Sequence, residues 1–71
     1  MQITKERVLE IAREDAARVY QDLSIYEVTI EADGENWRVD YNLKDPAVVG
    51  GGPHYIISGQ DGTILQRRYE Q

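Results

Sequence analysis

The sequence has no cysteine, a single histidine and no long apolar run, and each absence excludes a class of protein. Without cysteine there is no disulfide bond and no thiolate metal site, and with one histidine a structural zinc ion would need mostly carboxylate ligands, which is unusual. No window approaches the roughly 18 apolar residues of a membrane span. The opening segment MQITKERVLE also lacks the apolar run of a signal peptide. We therefore expect a cytoplasmic protein with no membrane partner and no metal or other cofactor.

What is present is the composition of one small globular domain. The 71 residues are 41% hydrophobic and 30% charged, which argues against disorder, and we expect residues 1–71 to form a single domain. At this size only about 60% of the unfolded chain's surface can be buried. The net charge of −5 repels phosphate backbones and anionic lipids, so we expect no nucleic-acid partner. A basic protein is the more natural partner.

The first third of the chain has the periodicity of an amphipathic helix, which we predict over about residues 5–22. Thr4 is a suitable N-cap for it. Ala12 and Ala16 lie in the middle of the apolar face, so we expect a sheet to approach closely there. The predicted face contains Val8, Leu9, Ala12, Ala16, Val19, Tyr20 and Leu23.

From Tyr26 the apolar residues recur every second position, which is typical of strands with one wet face. This pattern predicts strands over about residues 26–32 and 37–43. Asp33 and Gly34 tolerate a positive φ, and with Glu35 and Asn36 they predict a hairpin connection of four residues.

Residues 44–52 interrupt the alternation with Asp45-Pro46 and three successive glycines, which predicts a loop. Two further strands are expected over about residues 54–58 and 63–69, with a turn at residues 59–62. The predicted fold is therefore α+β, with one N-terminal helix packed on an antiparallel four-stranded meander sheet.

No catalytic or ligand-binding signature is evident. His54 and Ser58 share a strand face but lie four residues, or roughly 13 Å, apart, which is beyond hydrogen-bond reach. The triple glycine precedes a proline and a strand, whereas a phosphate-binding loop opens a helix. The spacing around Asp61 lacks the pattern of a calcium loop. We expect no enzyme activity and no catalytic, cofactor-binding or metal-binding residue.

Two surfaces are candidates for binding a partner protein. The first is acidic and consists of Glu31, Asp33, Glu35 and Asp40, although ordinary solvated charge is the alternative explanation of these residues. The second is the apolar segment Ala47, Val48 and Val49 in the predicted loop, which either folds back over the sheet or forms an exposed patch.

Three segments, residues 37–41, 51–57 and 61–65, together resemble small bacterial proteins of the PepSY-like and YrhB-like type. These include immunity proteins of polymorphic toxin systems. The resemblance implies a cystatin-like or PepSY-like helix on a curved sheet, no catalytic apparatus, and neutralisation of a cognate toxin, which would be a basic protein. It also leaves open a chaperone-like or protease-inhibitory module. An uncharacterised binding domain that forms a homodimer through an exposed strand edge is a further alternative.

Overall fold

The computed structural model describes residues 2–45, 47 and 51–69, and within them the chain forms one helix followed by four strands. The helix α1 spans Lys5–Val19. Thr4 caps it as predicted, because its side-chain oxygen accepts a hydrogen bond from the Arg7 amide at 3.1 Å. None of the helical residues described here forms a segment long and apolar enough to cross a membrane.

The helix is shorter than its periodicity predicts, so the expected extension to residue 22 is wrong. Tyr20 is already extended, with φ −112° and ψ 132°, and its amide makes the last helical bond to the Ala16 carbonyl. The Asp22 carboxylate then accepts bonds from the Ser24 amide at 2.9 Å and the Ser24 hydroxyl at 2.6 Å. Such a local side-chain bond competes with the helix and turns the chain toward the sheet. As a result Val19, predicted to be buried, is 51% exposed.

The four strands form a meander, which confirms the predicted α+β arrangement. They span Tyr26–Asp33 (β1), Asn36–Leu43 (β2), Pro53–Ser58 (β3) and Ile64–Tyr69 (β4). Each is antiparallel to the next, and the sheet order is β1-β2-β3-β4. The strands β1 and β4 therefore form the two edges.

The hairpin between β1 and β2 is tighter than predicted. Asp33 pairs with Asn36, so the connection is the two-residue loop of Gly34 and Glu35 rather than four residues. Gly34 has a φ of +63°, the conformation that two-residue hairpin turns require at their first central position. The alternation of side chains then continues one residue further into both strands than the sequence predicts.

The hairpin between β3 and β4 contains a bulge. Ile56 pairs with Gln66 and Ile57 pairs with Ile64, so Leu65 is an extra residue, and it is 55% exposed. Before β4, the Asp61 carboxylate accepts a bond from the Thr63 amide at 2.9 Å, which holds Thr63 in the turn. The strand consequently begins at Ile64 and not at Thr63.

The core lies between α1 and the middle of the sheet. The helix contacts β2 and β3, and the two alanines predicted to permit a close approach are fully buried there. The buried residues are Val8, Ala12, Ala16, Tyr26, Val39, Tyr41, Tyr55 and Ile57. Because the helix is narrower than the sheet, the edge strands β1 and β4 are less covered than the two central strands.

Four tyrosines gather at the end of the sheet where β3 begins. Tyr20 packs against Tyr26 and Tyr69 with ring centroids 5.8 and 6.1 Å apart, and Tyr26 packs edge-on against Tyr41 at 6.2 Å. Gly52 passes so close that a Cβ there would lie 2.5 Å from the Tyr41 carbonyl oxygen. This glycine is therefore a position where the backbone passes close to its neighbours, and a side chain there would clash.

Candidate functional site

The helix covers one face of the sheet, and none of the elements described above covers the other, which we call the open face. Strand pairing defines it, since side chains alternate between the two faces of each strand. It presents Glu27, Thr29, Glu31 and Asp33 from β1, Asn36, Arg38, Asp40 and Asn42 from β2, His54, Ile56 and Ser58 from β3, and Gln66 and Arg68 from β4.

A network of charged side chains crosses the centre of the open face. Asp40 Oδ1 lies 2.7 Å from His54 Nδ1, and its Oδ2 accepts a hydrogen bond from Arg38 Nε at 3.1 Å. Arg38 Nη2 also lies 3.5 Å from Glu31 Oε2. Arg38, Asp40 and His54 border a shallow groove of about 300 Å³. The remaining lining residues are Tyr55, Ile56, Gln66 and Arg68. The groove can take a polar group, with charges of both signs at its walls.

The same network does not form a nucleophilic site. An imidazole held by a carboxylate supplies two parts of a catalytic triad, but a hydroxyl must lie within reach of the ring. Ser58 pairs with Asn36 at the other end of the strand, and its hydroxyl accepts a bond from the Gln60 amide at 3.2 Å. Its position agrees with the separation from His54 that the sequence predicts.

Charge is distributed unevenly over the molecule. The helix carries four basic and four acidic residues and is neutral overall. The β1–β2 hairpin, Tyr26 to Leu43, carries five acidic residues and one arginine, so it holds −4 of the net charge of −5. In contrast, the β3–β4 hairpin contains Asp61, Arg67 and Arg68 and is weakly basic. The open face is therefore acidic at the β1 edge and basic at the β4 edge.

The structure brings together part of the predicted acidic surface. Glu31 and Asp40 lie on either side of Arg38 on the open face, whereas Asp33 ends β1 and Glu35 occupies the turn. Asp40 is already engaged by two cationic or polar partners and its side chain is only 18% exposed, which leaves it less accessible than the other three. Glu27 belongs to the same stripe and was not among the predicted residues.

The predicted apolar surface lies mostly outside the described residues. Val48 and Val49 are not among them. Ala47 is described, and its amide donates a hydrogen bond to the Asp45 carboxylate at 2.9 Å. The chaperone-like or protease-inhibitory alternative depends on this segment and stays a prediction.

A partly buried carboxylate that is not among the predicted residues joins the helix to the sheet. Asp15 Oδ2 accepts hydrogen bonds from the Tyr69 hydroxyl at 2.6 Å and the Tyr55 hydroxyl at 2.9 Å. Its Oδ1 lies 2.9 Å from Arg67 Nη2, and the Asp15 side chain is only 11% exposed. The helical spacing indicates this position of Asp15, because it stands seven residues after Val8 and three after Ala12, on the side of the helix that packs on the sheet.

The pKa values in this cluster follow from its contacts. Burial works to raise the pKa of Asp15, but the hydrogen bonds from Tyr69 and Tyr55 and the charge of Arg67 outweigh it and hold the pKa below its usual range. Burial, with the bond to Asp15, raises the pKa of Tyr55 well above its usual range. The carboxylate is therefore ionised and the tyrosine protonated near neutral pH, which is the state in which both hydrogen bonds form. This cluster fixes the helix on the sheet.

Among residues 2–45, 47 and 51–69 no three histidine or carboxylate side chains are placed to hold a metal ion. In comparisons with known proteins, no family model matches the chain, and neither a curated protein nor a solved structure matches it. The resemblance to PepSY-like proteins therefore stays a prediction.

Proposed function

We propose that this chain is a non-catalytic protein-binding domain that takes a basic partner protein on its acidic β1–β2 hairpin. The observation that carries the proposal is the location of the charge, since that hairpin holds −4 of the net −5. Opposite fields accelerate the encounter of two proteins and favour one orientation of docking.

Internal ion pairs leave most of this charge available. Glu27, Asp33 and Glu35 are exposed, and none of them forms a salt bridge with another residue in the described part of the chain. Glu31 is paired with Arg38 at 3.5 Å but remains 66% exposed. A basic partner can therefore approach these carboxylates without first breaking a buried interaction.

The immunity-protein resemblance gives the proposal a specific form, in which the partner is a basic toxin of the cell that makes this chain. A nuclease toxin must be basic to bind its nucleic-acid substrate, and an acidic surface can compete for the same residues. A cytoplasmic location, expected from the sequence, would place the two proteins in one compartment.

The experiment compares two variants that lose the same charge at different places. Both change the net charge from −5 to −2. The hairpin variant carries Glu27→Gln, Glu31→Gln and Asp33→Asn. The helix variant carries Glu6→Gln, Glu10→Gln and Glu14→Gln, all on the exposed side of α1.

The tagged chain is first used to isolate its partner from its own cells, and the purified partner is then titrated with all three chains at two salt concentrations. We expect one stoichiometric basic protein. Three exposed charge pairs at about 0.5 kcal/mol each should weaken binding by the hairpin variant about tenfold, with little change for the helix variant. If both variants weaken equally, net charge and not the hairpin is responsible. When the partner is a toxin, the wild-type chain should also protect cells that express it, and loss of protection should follow the hairpin variant.

A further inference from the structure

The strand β1 has the properties of an edge that accepts another strand. It is eight residues long, contains no proline and pairs regularly with β2 over its whole length. The opposite edge is different, because β4 contains the Leu65 bulge and two adjacent arginines, features that hinder pairing. Of the two edges in the described sheet, β1 is the one that presents a regular row of backbone groups.

The register shows which of those groups point outward. A two-residue turn makes Asp33 and Asn36 a hydrogen-bonded pair, and such pairs alternate along an antiparallel ladder. At the other end of the hairpin, the Lys44 amide donates a hydrogen bond to the Ile25 carbonyl at 3.0 Å. This bond agrees with the alternation that begins at the Asp33–Asn36 pair. The amides and carbonyls of Val28, Ile30 and Ala32 therefore point away from β2, toward the outside of the sheet.

The two faces of β1 would contact two different kinds of side chain on an incoming strand. On the open face lie the carboxylates of Glu27, Glu31 and Asp33. On the helix side Val28 is 42% exposed, because the helix covers β2 and β3 but leaves β1 partly uncovered. Ile30 lies two positions further along the same side of the strand and is partly buried.

We propose that β1 binds an extended segment of the partner by strand addition, with Lys or Arg over the open face and apolar side chains over Val28 and Ile30. This inference rests on the proposed function and specifies how the hairpin would hold its partner. Pairing with a second copy through β1 is disfavoured, since the acidic residues of the two strands would oppose one another. A homodimer formed through a strand edge, which is one alternative from the sequence, would therefore have to use a less regular edge than β1.

The probe is a synthetic eight-residue peptide of alternating lysine and valine with blocked ends. Its control has the same composition with the lysines and valines in two blocks, so that charge is unchanged but the period of two is lost. Binding to the full chain is followed by NMR, together with hydrogen exchange of the outward amides. We expect the alternating peptide to bind about tenfold more tightly and to slow exchange at Val28, Ile30 and Ala32 about tenfold, because several backbone bonds form only in register.

The matched variants are Ala32→Pro, which removes one outward amide, and Ala32→Val, which keeps it. Loss of one hydrogen bond should weaken binding of the alternating peptide to Ala32→Pro about fivefold, and binding to Ala32→Val should be unchanged. The exchange measurement on the wild-type chain decides the question even if Ala32→Pro fails to fold.

Equal binding of the two peptides without protection of the three amides would overturn strand addition but leave the acidic binding surface intact. A failure of the proposed function looks different, because then neither lysine peptide would bind the hairpin.

Discussion

Replacing Asp15 with alanine tests whether this partly buried carboxylate holds the helix on the sheet. The largest loss comes from Tyr55, which is 1% exposed, because its hydroxyl would remain buried without its partner at a cost of about 1–3 kcal/mol. Tyr69 is 39% exposed and the Arg67 side chain 45%, so water can replace much of what they lose. We expect Asp15→Ala to lower the free energy of unfolding by about 2–3 kcal/mol in total. A domain of this size has roughly 4–11 kcal/mol of stability, so the loss is large.

The assay is urea unfolding at equilibrium, followed by far-UV circular dichroism and by the fluorescence of Trp37. With a slope of about 1 kcal/mol per molar urea, the midpoint should fall by about 2–3 M. The control is Glu14→Ala, which removes an exposed carboxylate from the adjacent helical position and should change stability by less than about 0.5 kcal/mol. The pKa of Asp15 is lower in the folded chain than its ordinary value of 3.8. Its contribution to the free energy of unfolding is therefore fully present above pH 3.8 and is lost as the pH falls through the lowered pKa. The gap between wild type and Asp15→Ala should close over that range.

A double-mutant cycle separates this contact from general damage to the helix. Tyr55→Phe removes the hydroxyl that Asp15→Ala would leave unpaired, so the two changes together should cost about 1–2 kcal/mol less than their sum. The reasoning is refuted if the two costs add, or if Asp15→Ala is no worse than Glu14→Ala.

Two further predictions concern alkaline pH and the turns. Because the pKa of Tyr55 is raised on folding, its contribution is present below the usual tyrosine value of 10.0 and is lost as the pH rises above it. Urea midpoints between pH 8 and 11 should therefore decline above about pH 10, with a smaller decline in Tyr55→Phe; parallel curves would contradict this. Gly62 has a φ of +79° and an added Cβ would lie 2.6 Å from Ile11 Cδ1, whereas Gly34 has a φ of +63° with no atom within 4 Å. Both alanine variants should lose about 1 kcal/mol from backbone strain, and Gly62→Ala should lose more in thermal or urea unfolding; equal losses would show that Ile11 moves aside.

The alternation of apolar residues was sufficient to predict the sheet because one face of β2 and β3 packs on the helix. Val39 and Tyr41 lie in the phase predicted for β2 and are buried, and Tyr55 and Ile57 alternate in the same way in β3 and are buried too. The same rule predicts Val28 to be buried, but burial also depends on how far the helix reaches across the sheet. A period of two shows which face a residue occupies and does not show whether anything covers it.

Errors in the predicted boundaries have local causes. The apolar spacing continues through Val19 and Tyr20 although the helix stops there, since the Asp22 side chain offers the backbone other hydrogen bonds. Asp15 was overlooked for a related reason. A charged residue in a helix is usually solvated. Asp15 is stable in its partly buried position because of distant partners, which include Tyr55 and Tyr69, 40 and 54 residues away.

Of the candidate site, the acidic residues could be predicted from the sequence, but their availability could not. Asp40 and Glu31 look equivalent in the alternating pattern. Strand pairing places His54 beside Asp40, and Arg38 between the two acids, so Asp40 is enclosed and Glu31 stays exposed. The cross-strand neighbours of a charged residue determine whether it is free to contact a partner. Those neighbours depend on the strand register, which the sequence alone does not specify.

The fold gains little from the acids of β1, because the ion pair of Glu31 with Arg38, at 3.5 Å, is exposed to solvent, and this bears on their role. Glu27, Glu31 and Asp33 point away from the core, and those separated by two positions lie within about 7 Å on the same face, where like charges repel. The hairpin variant described above should therefore be slightly more stable than wild type at low salt, by a few tenths of a kcal/mol, while it binds the partner less well. Urea unfolding at low and high salt measures the first effect, which should vanish as salt screens the charges. A hairpin variant that is less stable than wild type would mean that the acids serve the fold, and the case for a binding surface would lose its main support.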